Sequence, residues 1–458
     1  MGISARAPAK LAFACAVCLT ALSFAAPSGG SIAVPSVSAH HCPALGSGWR
    51  CWVATLPLDR SGHAHGRMHV AVALLHRPGP PRPTVLALAG GPGTPAIASA
   101  RSFRARLAPL LATRDLLVVD DRGTGVSDPI ACPDIDAAAV WSPEAVRGCA
   151  QALGPAAGHY GSDDVADDVE DVRRLLGLGP LVVYGVSYGS KTAVDYARRH
   201  PAGTRALVLD SPIVEDTDPF YRRSAVGAAR VLANVCAEGH CPRGVDPVAD
   251  LRSLVGRMHD GHLGSIDEAA LLHLIVSGGP RLDALPPALH RAARGDTRAL
   301  GALLPATVPD ARAPSWLQQG GSNTVYLATS CDDGFFPWPH QASESHRVAA
   351  AERYVASLGD GAFAPFDHQV GMQYGEAGMC AAWPAAAERA APAPPPDVPA
   401  LLLVGGDDDL APLEGAQEVA AQLPHAQLVT VAGAGHGVLR TAGPGADALR
   451  SFAAGLGQ

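Results

Sequence analysis

The stretch LVVYGVSYGSKTAVDYARRHP, residues 181–201, constrains this chain more than any other. An apolar run of strand length leads into a serine between two glycines, and a helix-like segment follows at once. Strand, G-x-S-x-G and helix in that order require the backbone to reverse within a few residues. Gly185 and Gly189 give room for such a turn, and Ser187 sits at its apex, at the end of the strand. An ordinary turn with an N-capping serine is the plainer reading. The rest of the chain decides between the two.

Strands and helices alternate around this point. MHVAVALLHRP, TVLALAGGPG, DLLVVDDRG and RALVLDSPI read as strands. In DDVADDVEDVRRLLGLG the residues Val165, Val169, Val172 and Leu176 recur at spacings of four and three, with acids early and arginines late, as the helix dipole favours. Such alternation predicts an α/β fold with a mostly parallel sheet covered by helices on both faces. From about 215 to 395 the pattern becomes mainly helical, and the proline-rich ERAAPAPPPDVPA closes that region. Strand–helix alternation then resumes. The chain therefore reads as one α/β core, 40–214 and 396–458, carrying a helical cap insertion at 215–395. Its 458 residues, 48% of them hydrophobic, suffice for a large core.

The N-terminus reads as an export signal, residues 1–39. Arg6 and Lys10 precede LAFACAVCLTALSFAA, 16 residues that fall short of the roughly 20 needed to span a bilayer. Small residues allow cleavage after Ala25 or after Ala39. The expectation is a secreted protein, free of the membrane after cleavage. Eight cysteines remain beyond the signal, an even number that suits disulfides in an exported chain. Pairing of sequence neighbours would join 42–51, 132–149, 236–241 and 331–380, one of 105 connectivities. The last closes the longest loop and would contribute roughly 3–4 kcal/mol on the chain-entropy model. With no CxxC pair, the cysteines do not suggest a metal site. A net charge of −8 without a basic cluster argues against nucleic acid as a partner.

A serine hydroxyl is a weak nucleophile unless a base takes its proton and an acid orients the base. With a strand–G-x-S-x-G–helix element the chain order is Ser, then Asp or Glu, then His. Of 18 histidines, His436 in VTVAGAGHGVL has that order and a strand-end position; His340 and His368 lie in the insertion. Backbone N–H groups must also hold the developing oxyanion. Tyr188, directly after the nucleophile, supplies one, and Gly91 in the Gly90–Gly93 loop the other.

LAGGPG, DDRGTGVSD, GVSYGS, LLLVGGDDDLAP and GAGHG, in this order, resemble the α/β-hydrolase aminopeptidases, namely the proline iminopeptidases and the secreted tripeptidyl aminopeptidases of actinobacteria. The resemblance spans about 42–455. RCWVATLPLD resembles that family's entry into its first strand, and TSCDDGF the return of its cap to the active site. Departures are Ala89, Thr94-Pro95-Ala96 and Asp121, the last where the family usually has Gln. The family's G-x-x-D-x-x-T-P pattern, placed on Gly405, puts Asp408 on the acid and Pro412 on the proline; Asp409 fits only with a one-residue deletion. The triad implied is Ser187, Asp408 and His436, leaving Asp407 and Asp409 as solvated loop acids or helix caps. Acids that grip a substrate's free amino group are implied in the cap, with Asp332, Asp333, Glu215 and Asp216 as candidates. Phe335, Phe336, Trp338 and Trp383 are candidates for apolar lining. The implied function is a secreted serine aminopeptidase acting on peptides or small molecules as a monomer, without metal or cofactor. A carboxylesterase with the same triad is the alternative.

Overall fold

The structure is a computed structural model that describes residues 35–457, apart from 41, 43–44, 77–78, 80–81, 138–140, 215–216, 260–265, 279, 305–320, 340, 360, 384–392 and 396. Residues 1–34 of the expected export signal, Glu215 and Asp216 lie outside the described residues. Nine strands form one sheet: β1 Ser36–His40, β2 Trp49–Pro57, β3 Arg67–Leu75, β4 Thr84–Leu88, β5 Asp115–Val119, β6 Leu181–Val186, β7 Thr204–Asp210, β8 Ala400–Gly405 and β9 Ala426–Val431. Their spatial order is β1-β2-β3-β5-β4-β6-β7-β8-β9. The pairs β1–β2, β2–β3 and β3–β5 are antiparallel, and all pairs from β5 to β9 are parallel.

The period of two along each strand sorts side chains onto two faces. Val85, Ala87, Val182, Tyr184, Val208 and Leu401 face one side, against Phe103 and Leu449. Leu86, Leu88, Val183, Leu207 and Leu402 face the other. There they meet α1 (Ser162–Leu175) through Val169 and Val172, and α2 (Tyr188–Arg199) through Ala193 and Tyr196. Both faces being buried, the central strands read as nearly unbroken apolar runs.

Between β7 and β8 the insertion has its own apolar core, including Val231, Leu232, Leu251, Leu271, Leu285 and Leu289. Its helices include α3 (Arg222–Val235) and α4 (Asn323–Asp333). A further cluster joins residues 132–160 to α4, packing Trp141, Tyr326, Leu327 and Trp383 around two disulfides. The eight cysteines pair as 42–51, 132–149, 236–241 and 331–380. No helix among the described residues is long and apolar enough to cross a membrane.

The loop after β5 is held by buried charge. Arg122 donates from Nε and Nη2 to Asp168 at 2.8 and 2.7 Å, and from Nη1 to the carbonyls of Leu58 and His159, both at 2.8 Å. Beside it, Asp121 Oδ1 has no hydrogen-bond partner among the described residues. Burial, and then repulsion from Asp120 and Asp168, pushes the Asp121 carboxyl from 3.8 to about 8. The folded chain thus keeps a proton that the unfolded chain releases near pH 4. This contribution to stability is fully present below the unfolded pKa and is lost as pH rises towards 8. Asp121→Asn should raise the melting temperature at about pH 8.5, with the gain fading towards about pH 4. A gain independent of pH in thermal melts would contradict this account.

Candidate active site

Ser187 lies in the turn between β6 and α2 at φ 55° and ψ −129°, a conformation that costs a non-glycine residue of order 1–3 kcal/mol. The surrounding glycines are steric requirements. A Cβ on Gly185 would come within 2.1 Å of the Gly189 carbonyl oxygen, and one on Gly189 within 2.3 Å of the Ala89 carbonyl oxygen. The turn is tied down by the Ser187 N–H donating to Asp210 O at 2.9 Å and by Ser190 N–H donating to Ser187 O at 2.8 Å. Ser187 is 9% exposed.

The three aspartates after β8 have three different surroundings. Asp408, 1% exposed, is the one that meets His436: its oxygens lie 3.0 and 3.2 Å from Nδ1. Asp408 Oδ1 also accepts the N–H groups of Leu410 at 3.1 Å and Ala411 at 2.9 Å. Burial pushes this carboxyl up. The adjacent His436, the Ala411 N–H and the Ser211 hydroxyl outweigh burial and hold it below 3.8. The Ser211 oxygen in turn accepts the Gly437 N–H at 2.9 Å, fixing the backbone beside the histidine. A proton on Nδ1, donated to Asp408, leaves Nε2 free to accept.

The reading of Asp409 as a solvated acid or cap needs correction, whereas Asp407 is a partly exposed loop acid. Asp407 accepts from Asn234 Nδ2 at 2.9 Å. Asp409 is only 1% exposed, and neither carboxyl oxygen has a hydrogen bond among the described residues. The nearest cation, Arg230, stands 4.0 Å away and spends its donors on Gly406, Asp408 and Glu414. Burial therefore pushes the Asp409 carboxyl well above 3.8, against the pull of Arg230.

Ser187 and His436 line one cavity of about 580 Å³, together with Gly90, Gly91 and Tyr326. Their side chains share no hydrogen bond among the described residues; such bonds commonly tighten only when substrate is present. A smaller cavity of about 90 Å³ also includes Ser187 and Gly91, and adds Tyr188 and Val214. Tyr188 opens α2, where backbone N–H groups are left unpaired within the helix and the dipole favours negative charge.

Asp333 lies outside both cavities. It accepts the Ser162 N–H at 3.2 and 3.1 Å and the Tyr188 hydroxyl, with Lys191 Nζ at 3.5 Å. It anchors α4 to α2 and lines neither cavity, and Asp332 is likewise buried away from both. None of the four aromatic candidates lines them either. Phe335 is exposed, Phe336 and Trp338 stack on each other at 4.6 Å, and Trp383 is in the core.

The acid that does reach both cavities is Glu376, which sequence reasoning missed. It is 8% exposed and accepts hydroxyl hydrogen bonds from Tyr326 and from Tyr221, the latter at 3.2 Å. Burial pushes its carboxyl up to about 7 against these bonds, with repulsion from Asp218 adding to the rise. Its one sequence signal is its place four residues before Cys380, which ties it to α4 through Cys331.

Residues 83–441 match the family model described as alpha/beta hydrolase fold. The chain is 26% identical over 451 residues to the tripeptidyl aminopeptidase of Streptomyces coelicolor, covering 85% of this chain and 75% of that protein. Over 148 residues it is 31% identical to the proline iminopeptidase of Neisseria gonorrhoeae, 32% of this chain and 38% of the other. A shorter match, 34% over 95 residues, covers 19% of this chain and 18% of serine protease Hip1 of Mycobacterium tuberculosis. With a family match over nearly four-fifths of its length and a mostly parallel nine-stranded sheet, the chain belongs to the α/β-hydrolase fold family.

Proposed function

We propose that this α/β hydrolase is a secreted serine aminopeptidase. Ser187 Oγ attacks the scissile carbonyl carbon while His436 Nε2 takes its proton. Asp408 keeps the histidine proton on Nδ1 and stabilises the imidazolium. The N–H groups of Gly91 and Tyr188 receive the oxyanion. His436 returns the proton to the leaving amine, and water activated by the same histidine releases the acyl group from Ser187.

The observation that carries the peptide reading is Glu376, a buried carboxyl on the wall shared by both cavities with Ser187. An ammonium group brought against it would draw it into the ionised form and receive a charge-assisted hydrogen bond. Similarity to a tripeptidyl aminopeptidase over 85% of the chain supports the same reading. Chromogenic peptides with free and acetylated N-termini, assayed beside p-nitrophenyl esters, test it. Preference for free N-termini is expected. Equal rates on free and acetylated peptides would refute it, and turnover of esters alone would indicate a carboxylesterase.

Secretion is supported by four disulfides, which persist in oxidising compartments. Ser36–His40 pairs with Cys51–Thr55, so cleavage after Ala39 would remove most of β1. Intact-mass measurement of the exported protein should therefore give a chain beginning at Ala26. A chain beginning at His40, or an uncleaved one, would overturn that assignment.

A further inference from the structure

The larger cavity is electrically two-ended. Among the described residues lining it, Glu376 is the only carboxylate, and Arg106 and Arg440 are the only permanent cations. Neither arginine has a carboxylate within ion-pair distance among the described residues, whereas Arg60, Arg122, Arg173, Arg199 and Arg230 each do. Arg440 ends the short turn Val438–Arg440 that follows His436. Its Nε lies against Gly437, 2.6 Å from where a Cβ on that residue would stand, and so beside the histidine. The turn is pinned from below: the buried Asp210 accepts the N–H groups of Val438 at 2.7 Å and Leu439 at 3.2 Å, and the Tyr184 hydroxyl at 3.0 Å. Arg106 lies within electrostatic reach of that same Tyr184 hydroxyl. Arg440 thus stands on the histidine side of the cavity, and Arg106, which also lines it, is linked through Tyr184 to the same buried Asp210.

The fragment that leaves takes its proton from the histidine, so it must lie on that side. We propose that Arg106 and Arg440 form a subsite for a carboxylate on the leaving fragment, opposite the ammonium held by Glu376. This rests on the aminopeptidase reading and extends it to short, zwitterionic peptides. The carboxylate is either the C-terminus of the leaving fragment or an acidic side chain within it. Guanidinium groups recognise both through the same paired N–H donors.

Alanine peptides of two to five residues provide the test, each as free acid, as C-terminal amide, and as amide with a single Glu at each position in turn. Products are identified by mass spectrometry and kcat/KM is compared. The wild type should prefer a carboxylate-bearing form by roughly tenfold over the plain amide, as one charge-assisted contact allows. That ratio should fall with added salt, because Arg440 is exposed. It should drop towards one in Arg440→Ala, a surface change, and further when Arg106→Ala is added. Preference for the free acid alone identifies the C-terminus as the ligand, and recovery by Glu identifies a side chain. Equal kcat/KM on all forms, or a ratio unchanged in both variants, overturns the subsite while leaving the aminopeptidase reading intact. Cleavage of none of the peptides overturns both.

Discussion

Asp408→Asn should lower kcat on the order of 10⁴-fold, whereas Asp409→Asn should leave it within a few-fold; the first figure follows the loss seen when a serine-protease triad acid is made an amide. The two residues are adjacent and equally buried, so burial does not separate them. Contact does. Asp408 holds His436 Nδ1 at 3.0 Å, and an amide there offers a donor or an acceptor without fixing the ring's proton. Asp409 makes no hydrogen bond among the described residues, and burial pushes its carboxyl well above 3.8. Asparagine has its shape and carries no charge to bury, so the packing around Gly227 and Arg230 should persist. Steady-state kinetics on one peptide substrate checks both variants, with circular dichroism confirming that each folds. The opposite ranking would mean that Asp409, not Asp408, serves the histidine in solution.

Glu376→Gln should cost about 10- to 150-fold in kcat/KM on substrates with a free N-terminus, the range expected for a hydrogen bond to a charged group. Acetylated substrates, which carry no ammonium, should change far less. The pH profile adds an independent readout. Burial pushes Glu376 up to about 7, so the carboxyl is neutral below that value and gains its charge as pH rises through it. The substrate's α-amine loses its proton near pH 8. Efficiency on free N-termini should therefore climb through about pH 7 and decline beyond about pH 8. In Glu376→Gln the difference between the profiles of free and acetylated substrates should vanish. If the difference survives, some other acid receives the ammonium.

The part of this site that could be read from sequence is the part written in local pattern. Ser187 is announced by its glycines because the turn itself excludes any Cβ at Gly185 and Gly189. The central strands are legible because both of their faces are buried. Asp408 follows from its spacing to Gly405 and Pro412. The contacts that hold it, to Leu410, Ala411 and His436, show why spacing matters there. Glu376 has no such pattern. Its role comes from Tyr221 and Tyr326, brought to it from 155 and 50 residues away by the packing of the cap. Asp333 misleads for the same reason. An acid beside a cysteine in the returning cap segment invites a substrate, yet Tyr188, Lys191 and Ser162 converge on it only in three dimensions. The edge strand β1 escapes a sequence reading because SVSAH is largely exposed and carries little apolar character.

The most direct test of the account is covalent. A fluorophosphonate probe reacts with a serine only where a base and an oxyanion site activate it. Incubated with the purified protein and followed by peptide mapping, it should give one adduct, at Ser187. That adduct should be lost in Ser187→Ala and strongly slowed in His436→Ala. No adduct on the folded protein, or an adduct at another serine, would contradict the assignment of Ser187 as the nucleophile, and with it the proposed chemistry.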